Sequence, residues 1–259
     1  MPDAILKLDG VSKRYAGVVA LDGVSFDVER GTITSLIGPN GSGKSTLIDC
    51  ISGFQRHDGG RWWVGGSELS GRAPWEIVRA GLSRTFQTVR VYGPLSVHEN
   101  LALAMQAHRV PAWHTNLLAA GFMRRFDAEA RQRAAEVGQR IGLGRMLDSP
   151  AAALSYGQQK LVALGCALIA TPRLIVLDEP LAGVNPTLCL QIGELLDSLR
   201  AEGLTILLVE HNMDFVMRMS DRVIVLDRGT VLAQGSAAAI QADERVLRAY
   251  IGVPAELRT

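Results

Sequence analysis

Cysteine is scarce in this chain of 259 residues: there are three, Cys50, Cys166 and Cys189, an odd number with no C-x-x-C spacing. That argues against a disulfide framework or a zinc site and leaves them as small core residues. An excess of either charge is also lacking. Twenty-seven Lys+Arg stand against 26 Asp+Glu, a net charge of +1, so no global field draws nucleic acid or an acidic membrane surface. Long hydrophobic runs are missing: the longest, Leu161 to Ala170, is about half of the ~20 residues that span a bilayer, so any spanning part belongs to another chain. Met1-Pro2-Asp3-Ala4 opens no basic segment followed by an apolar stretch, so a cytosolic location is expected. No internal repeat or low-complexity tract is evident.

What is there reads as globular: 47% hydrophobic and 20% charged residues, enough for one compact domain or for a core with an inserted lobe. Alternating apolar residues at Ile5 to Leu8 and Val24 to Val28 predict N-terminal antiparallel strands, with turns at Gly17 and Asp22-Gly23. Thr32 to Ile37 is a β-branched strand entering a Gly-rich loop, and Lys44 to Ser52 reads as a helix closed by Gly53. Leu174 to Leu177, Thr205 to Val209 and Arg222 to Leu226 alternate with helical segments, the pattern of an α/β parallel-sheet core. Between about Tyr92 and Pro150 strand signals vanish. Val97 to His108 and Asp127 to Ile141 predict a helical lobe, whose Arg131, Arg133 and Arg140 alternate with Asp127, Glu129 and Glu136 as on a solvated helix face rather than a nucleic-acid patch.

Gly38-Pro39-Asn40-Gly41-Ser42-Gly43-Lys44-Ser45 fits G-x-x-x-x-G-K-[ST]. Following a strand and opening a helix, it converges backbone N–H groups on an anion; Lys44 reaches the β- and γ-phosphates, and Ser45 can ligate Mg²⁺. The block Gly38 to Thr46 is therefore the expected phosphate-binding loop for a nucleotide. Leu174 to Leu177 then delivers Asp178 and Glu179 to a strand end. Either they serve phosphoryl transfer, Asp178 holding Mg²⁺ through its water shell and Glu179 orienting and deprotonating a water, or they cap a helix.

Between these motifs stands Leu154-Ser155-Tyr156-Gly157-Gln158-Gln159-Lys160, and with it the whole chain resembles the ATP-binding subunits of ABC transporters, whose signature is Leu-Ser-Gly-Gly-Gln. The resemblance implies a P-loop α/β core with an N-terminal antiparallel β subdomain and an inserted α-helical subdomain, expected here as 1–90 with 159–259, and 91–158. It implies that Tyr15 stacks on adenine, that Gln87 senses Mg²⁺ and the attacking water, and that His211, otherwise a residue for structure at a strand end, reaches the γ-phosphate. Ser155, Gly157 and Gln158 would cover that phosphate from a second ATPase subunit, identical or related, so that half of each site lies on each chain. Further implied partners are transmembrane permease subunits and, indirectly, a periplasmic solute-binding protein; the location is peripheral, on the cytoplasmic side of the inner membrane.

Finer resemblance is to the Liv-type subunits that energise branched-chain amino-acid import, at Gly81 to Tyr92, the aromatic Tyr156, Glu179 to Pro186, the closing Arg248 to Gly252, and the long Arg-rich stretch from about His108 to Gln139. Urea and short-amide importers and lipopolysaccharide-export ATPases share parts of this pattern. A non-transport ATPase of the superfamily would instead carry two cassettes or a long coiled coil. Two features depart from the wider family: Asn185 stands where an Asp is common, and Lys160 to Cys166 lacks the arginines that commonly follow the signature.

Overall fold

The computed structural model describes residues 4–109 and 120–251; the opening Met1-Pro2-Asp3, residues 110–119 of the expected enlarged lobe, and the closing Gly252 lie outside the described residues. The chain forms two compact units, one of Met1–Arg84, Arg173–Leu181 and Leu196–Thr259, the other of Thr85–Pro172 and Ala182–Leu195.

The first unit begins with β1 (Ala4–Tyr15) and β2 (Val18–Glu29), an antiparallel pair extended by β4 (Gly59–Val64) and β5 (Ser67–Glu68) in the order β2-β1-β4-β5. Ile5, Leu6, Leu8 and Val11 are buried while Lys7 and Asp9 are exposed, the alternation of a sheet with one face in water. Gly17 turns the hairpin, as expected from the sequence. Asp22-Gly23 does not: both lie inside β2, where the register shifts and Gly23 takes φ +66°, as Gly10 of β1 takes φ +67°. Asp-Gly supplies the positive φ that a bulge needs as readily as the one a turn needs.

The second sheet of this unit contains β3 (Ile33–Ile37), β6 (Leu82–Arg84), β7 (Leu174–Asp178), β8 (Thr205–Val209), β9 (Arg222–Asp227) and β10 (Thr230–Gly235), ordered β10-β9-β3-β8-β7-β6. The five from β9 to β6 run parallel, and β10 closes one edge antiparallel. Every residue of β3, β7 and β8 is buried, so these strands are mostly apolar on both faces instead of alternating, with Thr34, Ser35, Asp178 and Thr205 as their buried polar residues. Helices α1 (Lys44–Ile51) and α2 (Pro74–Arg79) belong here. Leu47, Ile48 and Ile51 of α1 join Trp62 of β4 and Leu36 of β3 in one core.

The second unit holds α3 (Val97–Arg109), α4 (Ala120–Arg140), two 3-10 turns and α5 (Tyr156–Leu168); α6 (Pro186–Ala201) starts in it. Gly165 of α5 lets helices approach: a Cβ there would lie 2.8 Å from Leu101 Cδ2 and 2.9 Å from Ile141 Cδ1. Buried Asn100 ties down the preceding loop, its amide donating to the carbonyls of Tyr92, Leu95 and Ser96 and accepting from Tyr92 N–H at 2.8 Å. On α4, Arg131 and Arg140 are exposed alongside exposed Glu129 and Glu136. Three helices complete the first unit: α7 (Met213–Met219), α8 (Ala237–Gln241) and α9 (Glu244–Ile251).

Candidate nucleotide site

The loop Gly38 to Ser45 leaves β3 and enters α1 at the C-terminal ends of the parallel strands, where open α/β sheets bind ligands. Its glycines are needed for space. A Cβ on Gly38 (φ +154°) would come within 2.1 Å of Leu226 O, and one on Gly43 (φ +104°) within 2.6 Å of Ala20 O. The loop is thus wedged between β9 and the start of β2. Gly43 caps α1 with no side-chain hydrogen bond, so the first-turn N–H groups have no side chain occupying them. Ser45 and Asn40 are solvent-accessible; Ser42, by contrast, is buried.

Lys44 is buried and folded back over the loop, donating from Nζ to Gly38 O at 2.7 Å and Pro39 O at 3.0 Å. Burial lowers its pKa from the ordinary lysine value, opposed by the charges of Glu179 and Asp178. Neutral carbonyls compensate a buried ammonium poorly, and an anion in the loop would relieve it.

Two strands away, β7 ends on buried Asp178, and the chain turns at Glu179, whose φ of +50° is unusual for a residue with a side chain. Glu179 N–H donates to Val209 O at 2.9 Å, and its Oε1 lies 2.8 Å from His211 Nε2. Glu210, buried, steadies this corner: its carboxylate accepts from Leu181 N–H at 2.7 Å and from His211 N–H at 3.0 Å. The alternative of Asp178 and Glu179 as helix caps finds no counterpart, since α6 starts beyond them and is capped by Asn185, whose Oδ1 accepts from Leu188 N–H at 2.9 Å.

Arg84, at the end of β6, was not singled out by any sequence motif. It donates to Asp178 Oδ2 at 2.9 Å, Asp49 Oδ1 at 2.6 Å and Ser52 Oγ at 2.9 Å, joining the ends of β6 and β7 to α1. Asp178 is 94 residues away in sequence, beyond any local pattern. Tyr15 ends β1 with its ring part-exposed, at the tip of the hairpin whose Ala20 abuts Gly43.

The remaining candidates belong to the second unit. Gln87 is exposed in an irregular stretch. Ser155 caps α5 through a capping box: its Oγ accepts from Gln158 N–H at 3.3 Å while Gln158 Oε1 accepts from Ser155 N–H at 2.9 Å. Both signature side chains are therefore spent on the helix entrance. Gly157 lies against Leu188, where a Cβ would be 2.4 Å from Cδ2. Half-exposed Tyr156 sits beside Gly183, with Lys160 Nζ 5.6 Å from its ring centroid.

A Gly-rich loop opening an uncapped helix N-terminus, a buried lysine folded over that loop and two carboxylates at the end of a strand of the same sheet are the features of a P-loop nucleotide-binding protein. The comparisons carry this further. A family model described as "ABC transporter" matches residues 21–182, and one described as "Branched-chain amino acid ATP-binding cassette transporter" matches residues 230–256. The chain belongs to the ABC transporter family, as one of its ATP-hydrolysing subunits. It is similar to the high-affinity branched-chain amino acid transport ATP-binding protein LivG of Salmonella typhimurium, 38% identical over 253 residues that cover 97% of this chain and 99% of LivG. Among solved structures it is similar to a nucleotide-free ATP-binding cassette from an ABC transporter (34% identity, TM-score 0.84, 96% of this chain and 100% of that one). It is also similar to the ATP-binding cassette MJ0796 in a dimeric post-hydrolysis state with ADP and Pi (26% identity, TM-score 0.76, 90% and 98%).

Proposed function

We propose that this subunit powers import of branched-chain or related amino acids, working as a dimer of cassettes beneath transmembrane permeases. The observation that carries the substrate class is the match of residues 230–256 to the branched-chain model, together with near-complete coverage of LivG. Among the described residues no helix is long and apolar enough to cross a membrane, in keeping with a peripheral subunit on its cytoplasmic side.

In this reading the nucleotide phosphates lie in the loop Gly38 to Thr46, and Lys44 trades its carbonyl partners for the β- and γ-phosphates. Among the described residues no group of three or more His, Cys, Asp or Glu could hold a metal ion. Mg²⁺ is bound by one or two protein oxygens together with phosphates and water; Ser45 would hold it directly and Asp178 through its water shell, and Gln87 keeps the sensing role that the family resemblance implies. Mg²⁺ would supply charge neutralisation on the transferring phosphoryl group. Glu179 takes the proton of the attacking water at its carboxylate, and His211, hydrogen-bonded to that carboxylate, holds it in line. Ser155, Gly157 and Gln158 of a second cassette present the α5 entrance to the γ-phosphate, completing the charge stabilisation. Since a ligand shifts a conformational equilibrium only through different affinities for its states, ATP must bind the closed dimer better than the open one, and ADP must not.

The experiment has two arms. Glu179→Gln should lower ATP turnover by about 10²-fold or more while ATP binding persists; unchanged turnover removes Glu179 as the base. Affinity purification from native membranes should bring down permease subunits and a periplasmic protein that binds leucine, isoleucine or valine. Recovery of lipid-export partners instead would overturn the import reading.

A further inference from the structure

The phosphate loop accounts for recognition of the polyphosphate, but nothing in it reads the base. The hairpin beside it carries a polar device that no sequence motif announces. Lys13 is a buried lysine, 8% exposed. Its ammonium donates to Asp58 Oδ1 at 3.0 Å and lies 5.2 Å from the ring centroid of Tyr15, over the ring. The second oxygen of the same carboxylate, Asp58 Oδ2, accepts from the Arg14 N–H at 2.7 Å. Asp58 is in turn fixed by its own N–H, which donates to Ser12 O at 2.8 Å. One carboxylate therefore pins the cation over the ring and also the backbone joining the two residues. This happens where β1 needs it, because the β1–β2 register shifts between Lys13 and Arg14 and the ladder alone does not hold the strand end.

Tyr15 itself keeps 42% of its surface in solvent, at the tip of a hairpin whose Ala20 carbonyl abuts Gly43. An aromatic ring with one face under a cation, set beside a phosphate loop, is prepared to take a planar base. Holding a ring in place before binding removes the cost of ordering it on binding.

We infer that Lys13 and Asp58 are positioning residues for purine binding: they fix the Tyr15 ring so that it receives the adenine of a nucleotide whose phosphates occupy the loop. The inference rests on the reading of Tyr15 as the adenine-stacking residue. It predicts a loss confined to the base. Affinity for ATP falls when the device is broken, and affinity for a polyphosphate without a base does not.

The test is equilibrium titration of the full chain with ATP and, separately, with inorganic tripolyphosphate, for the wild type, Lys13→Met, Asp58→Asn, Lys13→Arg and Tyr15→Ala. Lys13→Met and Asp58→Asn should each weaken ATP binding about fivefold, the order expected for losing one pre-ordered side chain. Tripolyphosphate binding should stay within about twofold, and Lys13→Arg, which keeps a donor for Asp58 and a cation for the ring, should restore most of the ATP affinity. In a Tyr15→Ala background Lys13→Met should cost nothing further, as required of residues that act as one unit. Equal losses for ATP and tripolyphosphate, or a full Lys13→Met effect without Tyr15, would overturn the inference and leave the ATP reading standing. Failure of the wild type to bind ATP at all would instead defeat that reading, and this inference with it.

Discussion

Glu179 holds a left-handed backbone (φ +50°) and a hydrogen bond to His211 at the point where β7 ends. Such a conformation costs of order 1 kcal/mol or more and persists where surrounding contacts over-determine it. Here those contacts are the Glu179 N–H bond to Val209 O and the buried Glu210 carboxylate that ties Leu181 and His211. Glu210→Gln, which halves the acceptors of that carboxylate, should therefore reduce turnover more than ATP affinity; parallel kcat and binding measurements check it. Arg84 acts at the neighbouring strand end. Arg84→Met would leave Asp178 largely buried without its guanidinium, and removing one partner of a buried pair costs about 3 kcal/mol. A urea midpoint lowered by far less would mean that the pair is more hydrated than its geometry indicates. The thiols give a pH prediction. Burial pushes Cys50 up to about 11 and Cys166 up to about 12, from an ordinary 9.0. Above that ordinary value the unfolded chain releases thiol protons that the folded chain keeps, so these groups make stability fall as pH rises from about 9. Lys44, lowered below its unfolded 10.5, works in the opposite sense over part of the same range. Comparing urea midpoints at about pH 8 and about pH 10 for wild type and Cys166→Ala separates them: the substitution should flatten the alkaline loss.

At the scale of single elements, α5 shows how a capping motif and a proposed binding motif share residues. Ser155 and Gln158 satisfy each other's backbone donors, so Ser155→Ala should cost about 1 kcal/mol of stability from the cap alone. Ser155→Asp separates the two roles. Aspartate caps as well as serine and should leave stability within about 0.5 kcal/mol, yet a carboxylate facing a γ-phosphate should abolish most turnover. Wild-type turnover in Ser155→Asp would confine this residue to capping. Several elements were legible in the sequence because their signals are local: a β-branched run before a Gly-rich loop, and apolar stretches of strand length. Asp22-Gly23 was misread for the same reason, since its local signal is common to turns and bulges. Arg84 with Asp178, and Lys13 with Asp58, escaped because each pair joins residues 94 and 45 positions apart, and only the folded register brings them together.

For the whole molecule, the near balance of 27 basic and 26 acidic residues means that long-range attraction contributes little, so the proposed assembly rests on local surfaces. The proposed ATP site draws a lysine, two carboxylates and a histidine from one unit of the fold, while the signature entrance of α5 belongs to the other. The account requires two chains to make one working site, so turnover per chain should rise with protein concentration in dilute samples. The most direct test is the solution mass of Glu179→Gln by light scattering, with saturating ATP and Mg²⁺ and again with ADP. The account predicts twice the chain mass with ATP and the single-chain mass with ADP. A single-chain mass in both, in a sample shown to bind ATP, would contradict it.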